Sequence, residues 1–141
     1  MKKIITLVFL FLNIIQANAQ KYLINGNGVE IFYYNNSTKQ YDKNAGKQNA
    51  VITYNININE SWIKMTTLQT GTKKSIISDV IKNNNGLYEF IVLSRTGDSD
   101  KMKITYNQNT HELYQYMDYN SFTNIYTTRI KLLNPISEEY K

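Results

Sequence analysis

The sequence predicts an all-β protein. It reads as one small antiparallel meander of about eight or nine strands, curled into a barrel or a two-layer sandwich, after an N-terminal signal peptide. Three observations carry this. Aromatic and β-branched residues gather in short runs, while Gly, Asn, Asp and Ser gather between them, as antiparallel hairpins require. Several runs alternate apolar and polar side chains with the two-residue period of a half-buried strand. No heptad, βαβ unit or repeat of fixed period breaks the pattern. A meander of this length curls on itself because closure removes exposed edges.

The chain starts with Lys2 and Lys3, an apolar run from Ile4 to Ile15, and Ala17-Asn18-Ala19. A positive start, a short apolar core and an A-x-A site are the parts of a Sec-type signal, cut after Ala19. The apolar run is too short to span a bilayer comfortably, so no stable membrane span is expected after cleavage. The domain division is then 1–19 signal peptide, 20–131 all-β domain and 132–141 polar C-terminal tail holding the single proline, Pro135. The expected location is the periplasm or the extracellular space, and the signal and composition look bacterial.

Lys21–Ile24 and Val29–Tyr34 flank Asn25-Gly26-Asn27-Gly28, whose residues tolerate positive φ, so a hairpin is expected there. Asn35 to Asn49, the longest polar stretch, has no apolar stripe and reads as a loop or frayed excursion. From Val51 to Ile58 the residues Ile52, Tyr54, Ile56 and Ile58 share one face. Asn59-Glu60-Ser61 then leads into Trp62–Leu68, and Gln69-Thr70-Gly71-Thr72 into Ser75–Ile81. Asn83-Asn84-Asn85-Gly86 is the strongest hairpin signal, since Asn-Gly suits the primed turns that match strand twist.

Beyond it, Leu87–Leu93, Lys101–Tyr106, His111–Met117 and Phe122–Ile130 read as four strands with polar breaks between them. Two-residue turns at Gln108-Asn109 and Asn120-Ser121 would place Tyr106 opposite His111 and Met117 opposite Asn124. One face then holds Met102, Ile104, Tyr106, Leu113, Met117, Phe122 and Tyr126, and is the expected core. The other holds Tyr114, Tyr116 and Ile125, edged by Lys103, Thr127 and Arg129. A one-residue slip would exchange the two faces.

Composition excludes several classes of function. The 141 residues contain no cysteine, which removes thiol catalysis, Cys-ligated zinc, disulfides and a lipoprotein anchor. The formal charge of +5 comes from 16 basic and 11 acidic residues. Without Lys2 and Lys3 it falls to 14 against 11, or +3. Only Arg95 and Arg129 are arginine, and no basic stripe is visible, so nucleic acid is not an expected partner.

No catalytic set emerges, and no enzyme or cofactor is expected. His111-Glu112 begins like a zinc-protease motif, but position 115 is Gln and there is one histidine in the chain. Asp98-Ser99-Asp100 lacks the remaining spacing of a calcium loop. Glu89, Glu112 and Asp118 lie on strands with nothing to pair them as a glycosidase acid and base. A membrane-spanning barrel needs strands of about nine to eleven residues with an outward apolar band; the runs here are shorter, and their wet faces carry Asn and Lys.

What remains is 12 tyrosines and Trp62, rings that stack on sugars or line an apolar cavity. Cross-strand packing recruits tyrosine as well. The candidate binding patch is Tyr114, Tyr116, Ile125 and Arg129. Size and meander order are similar to the small ligand-carrying barrels of the lipocalin class, a likeness at the level of fold alone, without that family's G-x-W near the mature start. The leading expectation is an exported non-enzymatic binding module for an apolar small molecule or a glycan, held on the aromatic face or in the barrel. The alternative is a solid-cored partner for another protein, as an inhibitor, immunity protein or accessory subunit.

Overall fold

A computed structural model describes residues 20–93 and 101–140. The expected signal peptide and the Asp98-Ser99-Asp100 turn lie outside these residues. The described chain is all-β, with nine strands in order: β1 (Lys21–Asn35), β2 (Gln40–Asn57), β3 (Trp62–Thr67), β4 (Gly71–Lys82), β5 (Leu87–Leu93), β6 (Met102–Asn107), β7 (Leu113–Asn120), β8 (Ile125–Leu133) and β9 (Ile136–Tyr140). Each of the first seven pairs antiparallel with the next, and β8 returns to pair with β1, closing an eight-stranded barrel. β9 pairs with the first half of β1. β1, β2 and β4, at 15, 18 and 12 residues, exceed the lengths suggested by the apolar runs.

Alternation fills the interior. Tyr22, Ile24, Ile52, Tyr54, Ile56, Ile63, Ile77, Tyr88, Phe90, Val92, Ile104, Tyr106, Leu113 and Leu132 are all buried in one cluster. Burying such side chains contributes about 1.5–3 kcal/mol each for the aliphatic and phenyl groups.

Three expectations are corrected. The Asn25–Gly28 stretch is not a turn: β1 continues through it with a register shift, Gly26 pairing with Ile52 and Gly28 with Asn49. Here β1 changes neighbour from β9 to β8. Gly26 gives room for a neighbour, since a Cβ there would lie 2.3 Å from Leu132 Cδ1. Asn35–Asn49 is not a loop either. A turn at residues 36–39, with Lys39 at φ 59° and its N–H donating to the Asn35 carbonyl, reverses the chain into β2. The first half of β2 needs no apolar stripe because its ladder to β1 satisfies the backbone. The polar tail also joins the sheet: β8 extends to Leu133, and Ile136–Tyr140 forms β9.

The meander registers differ from two-residue turns by even steps. Tyr106 faces Leu113 instead of His111, and Met117 faces Thr128 instead of Asn124. Asparagine side chains widen both turns: Asn107 Oδ1 accepts from the N–H groups of Asn109 and Thr110, and Asn120 Oδ1 from those of Phe122 and Thr123. An even slip preserves which residues face inward. Met102, Ile104, Tyr106 and Leu113 accordingly face the interior. Phe122 does not; it stands 97% exposed at a turn. Tyr126 is buried, but outside the core cluster, against Tyr116 and Tyr119.

Candidate functional site

The two ends of the barrel differ. At one end, Tyr22 meets Tyr88 and Tyr106 with ring centroids 5.7 and 5.2 Å apart, and Tyr88 stacks on Phe90. Their hydroxyls are satisfied locally. Tyr22 donates to the Tyr88 oxygen, Tyr88 to Gln20 Oε1, and Tyr106 to Ser137 Oγ on β9. Burial pushes the Tyr22 and Tyr106 hydroxyls above the ordinary tyrosine range. His111 joins this plug through Ser137 Oγ, which ties the β6–β7 turn to β9. This end is closed.

Among the described residues, the opposite end is a cup. Two connected lobes, of about 330 and 510 Å³, share Tyr54, Met65, Lys73, Gln115 and Met117 as lining. The smaller runs between Ile63, Ser75, Val92, Met102 and Ile104. The larger passes Val29, Ile31, Ile52 and Ile130 and reaches a side mouth between Gln48–Val51 and Leu68–Thr70. Register creates that mouth. β2 pairs with β3 only from Ile52 onward, so residues 40–51 are laddered to β1 alone. Both volumes fall in the range of about 300–1,000 Å³ usual for small-molecule sites.

The floor is polar. Tyr54 donates to Gln115 Oε1 at 2.6 Å, and Gln115 Nε2 donates to Met102 Sδ at 2.8 Å. Gln115 is 3% exposed and Tyr54 1%. Desolvation holds the Tyr54 hydroxyl protonated well above the usual range. Around this floor the walls are mainly aliphatic and thioether side chains, which adapt their shape to a guest; Ser75, Lys101 and Asp118 also line the smaller lobe. Lys73 reaches the lining from the exposed rim.

The patch expected from sequence is partly assembled on the outer wall. Tyr116 on β7 pairs with Arg129 on β8. The Arg129 guanidinium lies 5.3 Å from the Tyr114 ring and 5.0 Å from that of Tyr41. Lys103 lies over Tyr116 at 4.6 Å. Ile125 stands four residues from Arg129 along β8, about 13 Å away at strand rise, opposite Asn120. Sequence reasoning missed Phe32, Tyr34 and Tyr41. The β1–β2 hairpin lays Tyr41 against Tyr116, and its hydroxyl donates to the Tyr126 carbonyl at 2.6 Å. Desolvation raises both Tyr41 and Tyr116, while Arg129 opposes the shift in each. The chain's own hairpin therefore occupies this face.

The carboxylates do not converge. Glu112 pairs with Lys131 at 3.8 Å, and Asp118 accepts from Thr128. Among the described residues no three His, Cys, Asp or Glu side chains group around a point that would hold a metal ion. No family model, curated protein or solved structure matches the chain.

Proposed function

We propose that this protein is an exported, non-enzymatic binding protein that holds a small, mainly apolar molecule in the open end of its barrel. One observation carries the reading: the interior is filled by aromatic side chains at one end and left as a Met- and Ile-walled cup at the other. A solid-cored interaction protein gains stability by filling such space, since unfilled volume forfeits packing energy. Between the two locations foreseen for a ligand, the interior is favoured. On the outer wall, Tyr41 already supplies the ring that a guest on Tyr114, Tyr116 and Arg129 would offer. The signal-like Met1–Ala19 segment supports export to the periplasm or beyond, and the scattered lysines support a partner other than nucleic acid.

Native mass spectrometry of the protein purified from its own host's extract tests this. A reproducible adduct of a few hundred daltons, lost when Met117→Trp fills the cup, is expected. Bare protein that also fails to take up an environment-sensitive apolar dye overturns the reading.

A further inference from the structure

The cup combines mainly apolar walls with polar side chains, among them Ser75, Lys101 and Asp118 on the smaller lobe and Gln48, Asn49 and Thr70 on the larger, and its floor is asymmetric in hydrogen-bonding capacity. Gln115 Oε1 already receives the Tyr54 proton. The orientation of the amide follows from its neighbours: Met102 Sδ carries no proton and accepts only weakly, so the nitrogen faces the sulfur and the oxygen faces the phenol. The Gln115 nitrogen has two N–H groups. One is spent on a thioether, a poor acceptor, and the other has no protein acceptor among the described residues. A buried donor in this state costs about 1–3 kcal/mol unless something accepts from it. Gln115 is nine-tenths buried and more, and lines both lobes.

From this we infer that Gln115 Nε2 is the recognition point of the cup, and that the ligand is an apolar molecule carrying an uncharged acceptor, a carbonyl or ether oxygen, at its deep end. The inference rests on the cup being the binding site. The acceptor is uncharged because, among the described residues, the groups bonded to the Gln115 amide are the neutral Tyr54 hydroxyl and Met102 thioether; Lys73 and Lys101 line the smaller lobe, but Lys73 is exposed and Lys101 lies over the Tyr119 ring. A carboxylate taken to this depth would lose its hydration without a counter-charge. A purely apolar guest would leave the Gln115 donor as it stands and gain nothing from it. A guest with an acceptor satisfies that donor, and the surrounding Met65, Met102 and Met117 accommodate its chain.

The test uses methyl heptyl ketone and the alkane in which a methyl group replaces its carbonyl oxygen. Each is titrated into the protein and followed by proton–nitrogen correlation spectra. The ketone is expected to bind about five- to tenfold more tightly than the alkane, the worth of one net hydrogen bond, and to shift the Gln115 side-chain amide resonances. Gln115→Leu strands the Tyr54 hydroxyl, so the double variant Tyr54→Phe with Gln115→Leu is compared as well. In it the preference disappears while the alkane still binds. Equal binding of the two probes to the unaltered protein, or a preference that survives in the double variant, overturns the assignment and leaves the cup as a site. If neither probe binds the unaltered protein, the cup itself is refuted as the site, and the assignment falls with it.

Discussion

The hydroxyl of Tyr54 on β2 and the amide of Gln115 on β7 are joined at 2.6 Å across the inside of the barrel, 61 residues apart in sequence. Strands that share no ladder are thus linked through a buried polar pair. In such a setting, losing one partner costs more than losing both. Tyr54→Phe and Gln115→Leu are each expected to destabilise by about 1–3 kcal/mol in urea titrations. The double variant should fall well short of the sum, destabilised by less than either single variant. Strict additivity would mean that the pair is not coupled.

Alkaline pH should unfold the protein steeply. Tyr22, Tyr41, Tyr54, Tyr106, Tyr116 and Tyr126 are all held above the ordinary tyrosine value, with burial as the first cause. Their folded-state pKa exceeds the unfolded one, so above about pH 10 the unfolded chain has released protons that the folded chain retains. The stabilisation is complete below that pH and is lost as pH rises through the folded values. Buried Tyr54 alone should contribute a slope of about 1.4 kcal/mol per pH unit there. Chemical denaturation at a series of pH values, with tyrosinate absorbance as the readout, should show Tyr54→Phe flattening the decline. An unchanged slope contradicts the burial argument.

Adding one methyl group at the partner switch of β1 should be costly. In Gly26→Ala the new Cβ meets Leu132 at 2.3 Å, and overpacking of this kind costs about 1–3 kcal/mol. Combined with Leu132→Val, the loss should be less than additive, because the clash is with that side chain. A thermal melt of the three variants decides the point.

The lesson about legibility is local. The run from Leu87 to Leu93 matches β5 end to end because its alternation, its Asn-Gly boundary and its burial agree. The inward set of β6 and β7 survived turns that were misjudged by two and four residues, since side-chain direction depends only on parity. Asn25–Gly28 and Asn35–Asn49 were misread for a shared reason: both are stabilised from across the sheet. Glycine there serves the Leu132 side chain, and the polar half of β2 is held by the β1 backbone and by Tyr41. Leu132 is far from Gly26 in sequence, while the β1 partner of β2 is adjacent but makes a backbone ladder that leaves no apolar pattern to read. A ligand in the barrel was one of two expected locations, but the lining of the cup was not legible, because Gln115 falls between tyrosines of an aromatic run and its depth appears only when the barrel closes. A buried glutamine at an inward position, once the face was assigned, was the available signal.

The hairpin should be held to the outer wall mainly by one side chain. Tyr41→Ala removes ring contacts to Tyr34 and Tyr116 and the hydrogen bond to the Tyr126 carbonyl. Amide exchange in residues 40–49 should quicken roughly thirtyfold, equivalent to about 2 kcal/mol of local opening. Exchange in β5 and β6 should stay as it was. A uniform rise across all strands would show global destabilisation instead.

Gln20 and β9 lie together at the plugged end, with Ile58 N–H donating to the Gln20 carbonyl and Ser137 meeting Tyr106. A linker joined ahead of Gln20, or one that extends the chain beyond β9, therefore leads away from the mouth. Immobilised on a bead or an electrode through either terminus, the barrel presents its opening to the solution. The β3–β4 tip at Leu68, 87% exposed beside that opening, then becomes a practical position for a reporter dye. The asymmetry of the two barrel ends gives the protein a built-in orientation as a sensing scaffold.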